Sequence, residues 1–95
     1  PVQPQFLVHH PDDTVGVIVV EGVTAGDALA GASLHGDETY TLTAAQDIPL
    51  GHKIALSPAG LGDTVIKYGH DIGRVVAPYS AGDHVHVHNV KTKRW

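Results

Sequence analysis

One short pattern recurs four times and limits this chain to short elements joined by tight turns. Residues 25–29, 50–54, 61–65 and 81–85 each contain a Gly, then a polar residue, then an apolar residue two positions further on. Glycine allows the positive φ that a tight turn needs, and a following Asp can accept hydrogen bonds from nearby backbone amides. The uneven spacing excludes a solenoid repeat. The pattern predicts a turn that leads into a strand, used four times.

Short apolar or alternating runs predict the strands themselves. Eleven Gly and six Pro leave little room for a three-turn helix, and Gly26 disfavours the one short helix candidate, residues 24–30. Runs rich in β-branched and aromatic residues predict strands at 6–9, 15–20, 39–43, 53–56, 64–68 and 84–90. We therefore predict a small, irregular all-β domain that covers residues 1–95.

Composition excludes several functional classes. The chain has no Cys, which rules out disulfides and thiolate metal sites. Its net charge of −4 argues against nucleic-acid binding. No apolar run is long enough to span a membrane, and the first residues lack the features of a signal peptide, so we expect a cytoplasmic protein.

Charge is distributed unevenly along the chain. Residues 1–50 contain seven acidic residues and no Lys or Arg, whereas residues 51–95 contain all six basic residues and three acidic ones. The second half can attract a small anionic substrate or an acidic partner. We expect a partner to bind near this basic half, with Trp95 as an apolar anchor next to Arg94.

Eight His residues are the main candidates for chemistry. His84, His86 and His88 alternate with two valines, which on a strand places three imidazoles on one face and the valines inward. Such a face can chelate a divalent metal or, when protonated, bind an anion. The alternative is an exposed strand face on which His is merely the polar residue.

Two further clusters, Gly51-His52-Lys53 and Lys67-Tyr68-Gly69-His70, combine titratable and cationic groups. Each is also compatible with a plain surface role. No complete set of nucleophile, base and phosphate loop is present. A domain of this size has little interior for an enclosed site. Catalysis is therefore expected at a junction with another chain.

Three segments resemble a known family. Residues 48–56 (IPLGHKIAL), 62–69 (GDTVIKYG) and 82–89 (GDHVHVHN) are similar to the SAF-type domain of the altronate and galactarate dehydratase family, and the resemblance extends over nearly the whole chain. It implies a β-clip fold, shared in outline with antifreeze-like domains. In this family the domain is either the first part of a larger chain or a separate small subunit. The segment after Asn89, which ends at Trp95, resembles most the separate small subunits that act on sulfolactate.

The resemblance also implies an activity. A large catalytic subunit and a divalent metal, usually iron, are expected to join this chain in a β-elimination from a hydroxy acid, with sulfite leaving from sulfolactate. The alternatives are loss of water from a sugar acid, a carbohydrate- or acid-binding module, and a purely structural subunit. The matching motifs suggest these roles: His86 and His88 as metal ligands, His52 and Lys67 as catalytic residues, and Lys53 and Tyr68 as substrate-binding residues.

Overall fold

A computed structural model of the protein describes residues 3–92, and every regular element in this range is a β-strand. The prediction of an all-β fold is confirmed. The helix candidate at 24–30 is wrong, because residues 24–27 form a turn and a strand begins at Ala28. No helix in this range could cross a membrane. The strands are β1 (Phe6–Val8), β2 (Val15–Ile18), β3 (Ala28–Ser33), β4 (Thr39–Thr43), β5 (Lys53–Ala55), β6 (Thr64–Lys67), β7 (His70–Val75), β8 (His84–Val85) and β9 (Val90–Thr92).

The strands form two sheets. The larger has six strands in the order β4-β3-β1-β2-β5-β8, and its neighbours are antiparallel except for the parallel pair β1 and β3. The smaller has three antiparallel strands in the order β6-β7-β9. Short strands in two sheets agree with the small β-clip domain that the resemblance implies.

Two hydrophobic cores share one wall. On β2 and β5, Ile18 and Ile54 belong to the first core, while Val15 and Ala55 belong to the second. Successive side chains on a strand point to opposite faces, so the same two strands serve both cores. All four side chains are at most 1% exposed. A fully buried Val or Ile stabilises the fold by roughly 1.5–3 kcal/mol.

The four predicted turns form as expected. Gly26, Gly51, Gly62 and Gly82 have φ angles of 93°, 85°, 87° and 90°. In each turn the amide of the next residue donates to the carbonyl oxygen three positions earlier, at 3.0–3.1 Å. In three turns an Asp carboxylate also accepts a hydrogen bond, at 2.8–2.9 Å, from the backbone amide of the first turn residue. Asp27 accepts it from Thr24, Asp63 from Gly60 and Asp83 from Ser80. These turns therefore carry a side-chain cap in addition to the backbone bond.

The predicted strand at 84–90 is wrong beyond Val85. β8 ends there, residues 86–89 form a turn, and β9 joins the other sheet. The Asn89 side chain stabilises the turn, because its Oδ1 accepts the His86 amide at 2.9 Å and its Nδ2 donates to the His84 carbonyl at 2.8 Å. Val87 is consequently 69% exposed instead of packing inward. The alternation that placed His86 and His88 on one strand face does not hold.

Candidate functional site

Three imidazoles converge beside the paired strands β5 and β8. His52 immediately precedes β5, His84 begins β8 opposite Ile54, and His86 follows β8. His52 Nδ1 lies 2.8 Å from His84 Nε2, so one ring donates a hydrogen bond and the other accepts it. The His52 and His86 rings stack with centroids 4.2 Å apart. We call His52, His84 and His86 the histidine group.

The turn at Pro49 explains why His52 is free to join this group. His52 occupies the position that Asp fills in the other three turns. There the Asp caps the amide of the first turn residue, but Pro49 has no N–H to be capped. The Pro49 turn keeps its backbone bond, in which the His52 amide donates to the Pro49 carbonyl at 3.0 Å. A side chain at residue 52 can therefore serve the site without giving up a cap.

The histidine group has the geometry of a metal site. One nitrogen from each ring can be chosen so that all three lie within 4.8 Å of one another. Imidazole nitrogens bind divalent ions at about 2.1 Å, which places neighbouring donors roughly 3 Å apart. All three side chains are partly exposed, so a bound ion would keep positions open for a substrate. The donor set therefore fits a divalent transition metal.

The surroundings favour neutral imidazoles. Burial, followed by the neighbouring His88, lowers the pKa of His84, and His52 and His86 act in the same direction. Burial, followed by His52, lowers the pKa of His86, to which Lys53 also contributes. A neutral imidazole has the free lone pair that metal binding requires.

The other residues predicted for the site lie near the histidine group or at the tip of the β6–β7 hairpin. His88 is exposed and outside the group, with its ring centroid 5.1 Å from that of His84. Lys53 lies on β5 in register with Val17 and Val85, and burial, followed by Lys67, lowers its pKa. Lys67 ends β6, and its Nζ is 5.3 Å from the centroid of the Tyr68 ring.

A small cavity adjoins the histidine group. It has a volume of about 100 Å³ and is walled mainly by apolar side chains of the second core, with Lys53 and His86 among its lining residues. The remaining lining residues are Val65, Ile72, Val85, Val87, Val90 and Thr92. A cationic and an imidazole side chain against apolar walls can orient a small acid.

The structure adds two residues to the site: His84, which the His-Val alternation named as a candidate but which received no assigned role, and His9, which was given none. His84 completes the histidine group through its bond to His52. His9, which follows β1 in loop-like sequence, stacks on Tyr68 with centroids 4.0 Å apart. Burial, followed by Lys67, lowers the pKa of His9, and His35 acts in the same direction while Asp13 opposes it. No sequence pattern signals this contact, because it depends on how the tip of the β6–β7 hairpin packs against the loop between β1 and β2.

The chain is similar to one known domain family and to several named proteins. The altronate/galactarate dehydratase SAF domain matches residues 4–93. The (2R)-sulfolactate sulfo-lyase subunit alpha of Chromohalobacter salexigens is 54% identical over 90 residues, which cover 95% of this chain and 96% of that protein. The subunit of the same name from Paracoccus pantotrophus is 59% identical over 56 residues, 59% of this chain and 84% of that one. Altronate dehydratase of Escherichia coli is 38% identical over 93% of this chain but only 16% of its own length.

Proposed function

We propose that this chain, which belongs to the altronate/galactarate dehydratase SAF domain family, is the small subunit of a two-subunit lyase that acts on (2R)-3-sulfolactate. The observation that carries the proposal is the 54% identity to a sulfo-lyase subunit alpha, which extends over nearly the full length of both chains. The histidine group, which could hold a metal ion, and the cationic residues near it offer part of the chemistry that such a reaction needs.

The proposed reaction is a β-elimination. A base removes the proton from the carbon that bears the carboxylate and the hydroxyl group, and the C–H electron pair forms the new double bond. The C–S bond of the neighbouring carbon breaks, and sulfite leaves with its electron pair. The resulting enol tautomerises to pyruvate. Because negative charge grows on the carboxylate as the proton leaves, positively charged or Lewis-acidic groups near that carboxylate lower the barrier.

We assign the histidine group to a divalent metal, with iron as the expected ion. When bound, the metal supplies Lewis acidity at the substrate's oxygen atoms. His86 was predicted as a ligand from sequence, and the contacts of His52 and His84 support adding those two residues. Since His52 was predicted to act in proton transfer, two roles for it need to be separated.

Single Ala variants at His52, His84, His86 and His88 separate these roles through metal content and turnover. Replacing a metal ligand removes iron from the protein, whereas replacing a base leaves the iron content unchanged and abolishes turnover. We expect His52→Ala, His84→Ala and His86→Ala to lose iron. The prediction that His88 is also a ligand is tested in the same series, and normal iron content in His88→Ala would contradict it.

We propose that Lys53, Lys67 and Tyr68 bind and polarise the acid. Lys53 lines the apolar cavity together with His86, where an ammonium group can meet a carboxylate. Lys67 and Tyr68 occupy the tip of the hairpin and present a cation and a hydroxyl group. We expect Lys53→Met to raise the KM for the acid more than it lowers kcat, because an ion pair formed before the transition state contributes mostly to binding.

The decisive experiment is co-purification with a large subunit, followed by an assay for sulfite. We expect the complex to release sulfite and pyruvate from (2R)-3-sulfolactate and the chain alone to release neither. Turnover by the chain alone would contradict the subunit assignment. The predicted role of Arg94 and Trp95 in assembly concerns residues outside the described range. Co-purification after their deletion tests it, and the cytoplasmic location stays a prediction.

A second candidate function is loss of water from a sugar acid. The similarity to altronate dehydratase over 93% of this chain favours it. In that case the same complex converts altronate or galactarate and releases no sulfite from sulfolactate. Parallel assays on these substrates therefore discriminate between the two leaving groups.

A further inference from the structure

Tyr68 has an unfavourable backbone conformation that its burial does not explain. Among residues 3–92, Tyr68 is the only non-glycine residue with a positive φ, at 56°, and Gly69 follows it with a φ of 73°. These two residues connect β6 and β7, in a hairpin turn whose positive φ angles favour Asn or Gly over an aromatic residue. The Tyr68 side chain is nevertheless 53% exposed, so it fills neither core. Strained residues of this kind are concentrated at functional sites.

A buried carboxylate fixes the hairpin tip. Asp13 is only 8% exposed, and its Oδ1 accepts the Gly69 amide at 2.9 Å while its Oδ2 accepts the His10 amide at 3.2 Å. Next to it, the Thr14 amide donates to the Ile66 carbonyl at 3.0 Å, and Thr14 Oγ1 accepts the Ile66 amide at 3.1 Å. The tip is therefore anchored to the loop before β2, which holds Tyr68 in its strained conformation.

The anchored tip presents donors and a positive charge. The His9 ring stacks on Tyr68 at 4.0 Å, and Lys67 Nζ is 5.3 Å from the same ring. Within residues 3–92 no ion pair joins Lys67 or Lys53 to a carboxylate. The two ammonium groups lie close enough for Lys67 to disfavour the protonated form of Lys53. The Asp13 carboxylate near this tip accepts hydrogen bonds from two backbone amides. Two like charges that form no ion pair with it create a positive local field that favours a bound anion.

We infer that His9, Lys67 and Tyr68 form an anion-binding subsite, distinct from the histidine group, for the second charged oxygen-bearing group of a dianionic hydroxy acid. The identity of this acid rests on the proposed function. Lys67 supplies the charge, and the Tyr68 hydroxyl and His9 ring supply hydrogen-bond donors. Lys53 interacts electrostatically with both Lys67 and His86, so an acid that has one negative group at each end can bridge the hairpin tip and the histidine group if its length matches their separation.

Anion binding by the full chain tests the subsite without any turnover. We would titrate 15N-labelled protein with methanesulfonate and, separately, with acetate, following the Tyr68 and Gly69 amides and the His9 ring by NMR. We expect saturable chemical-shift changes at these three residues. The anion that binds more tightly indicates whether the subsite prefers a sulfonate or a carboxylate. Lys67→Gln should weaken binding at least ten-fold, whereas Lys91→Gln, an exposed lysine on β9, should not. Equal affinity in the two variants, or shifts that do not saturate, would overturn the inference.

Tyr68→Asn distinguishes a functional residue from a structural one. Asn tolerates positive φ, so the Tyr68→Asn variant should fold at least as stably as wild type. If Tyr68 is kept for anion binding, this variant will show an unchanged or higher Tm and no anion binding. A lower Tm with full anion binding would overturn the inference. Failure of the proposed function has another signature: a complex that releases no sulfite although the hairpin tip still binds anions saturably.

Discussion

Replacing Gly82 with Ala tests whether the turn that leads into β8 positions the histidine group. Gly82 is buried, its amide donates to the Ala55 carbonyl at 2.9 Å, and its carbonyl accepts the Ala45 amide at 2.9 Å. A Cβ at residue 82 would lie 2.1 Å from the carbonyl oxygen of Thr43, which is backbone and cannot rotate away. The turn must therefore move, and His84, two residues later, must move with it.

Gly26 provides a matched control. It occupies the same place in an equivalent turn, with φ of 93° against 90° for Gly82, but a Cβ there meets nothing within 4 Å. Gly26→Ala therefore destabilises the fold only through the positive φ, which costs an Ala about 1–2 kcal/mol. The stiffer unfolded chain offsets about 0.4–1 kcal/mol of this cost. We expect a net loss of about 1 kcal/mol in the free energy of unfolding.

The collision at Gly82 adds to that shared cost. Overpacking contributes about 1–3 kcal/mol, and weakening one of the two backbone hydrogen bonds of Gly82 adds about 1 kcal/mol. Gly82→Ala should therefore lose about 2–4 kcal/mol more than Gly26→Ala, a large part of the roughly 5–14 kcal/mol expected for a domain of this size. Urea unfolding monitored by circular dichroism measures the difference, and an anaerobic titration with Fe2+ measures the site. We expect at least ten-fold weaker iron binding only in Gly82→Ala. Equal urea midpoints for the two variants would refute the steric argument.

Three further results follow from the contacts described above. His52→Asn should weaken iron binding yet leave the free energy of unfolding within about 0.5 kcal/mol of wild type, because Pro49 offers no amide for the new side-chain oxygen to cap; a clear gain in stability would contradict this. Burial and Lys67 lower the pKa of His9 below 6.5, so the free energy of unfolding should fall as the pH drops through 6.5 to that lowered value, and an NMR pH titration of Lys67→Gln should show the His9 midpoint rising. Asn89→Ala should lose about 1–3 kcal/mol, because its side chain makes two buried hydrogen bonds in the turn after β8; thermal unfolding measures the loss, and an unchanged Tm would contradict it.

Much of the fold could be predicted from the sequence, because the turns depend on residues close together in the chain. The Gly–Asp pattern at Gly26, Gly62 and Gly82 encodes its own turns, since the glycine angle and the Asp cap both lie within four residues. Three strands were not predicted, and one of them, β9 (Val90–Thr92), overlaps the predicted strand at 84–90 only at Val90. β3, Ala28–Ser33, is rich in small residues, and β7, His70–Val75, begins with polar ones. Both β3 and β7 owe their extended conformation to pairing with a strand on each side of them in the sheet, which a local pattern does not report.

The site was only partly predictable. The motifs indicated His52, His84 and His86 as separate candidates, but the 2.8 Å contact between His52 and His84 joins residues 32 positions apart and depends on the pairing of β5 with β8. Alternation with valine suggested a strand through His88, and Asn89 overrides that alternation by capping a turn. The stacking of His9 on Tyr68 needs two sheets in their final arrangement.

The wall formed by β2 and β5 bears on how the domain opens. The side chains of β2 and β5 alternate between the two cores. Opening this wall therefore disrupts the packing of both cores at once. The backbone amides of Gly16 and Ile54, at the centre of this wall, should exchange with solvent only on global unfolding. His52, two residues before Ile54, is thus attached to the slowest-exchanging part of the molecule. A ligand at the histidine group would then protect amides in both cores at once, and hydrogen exchange would register its binding far from the imidazoles themselves.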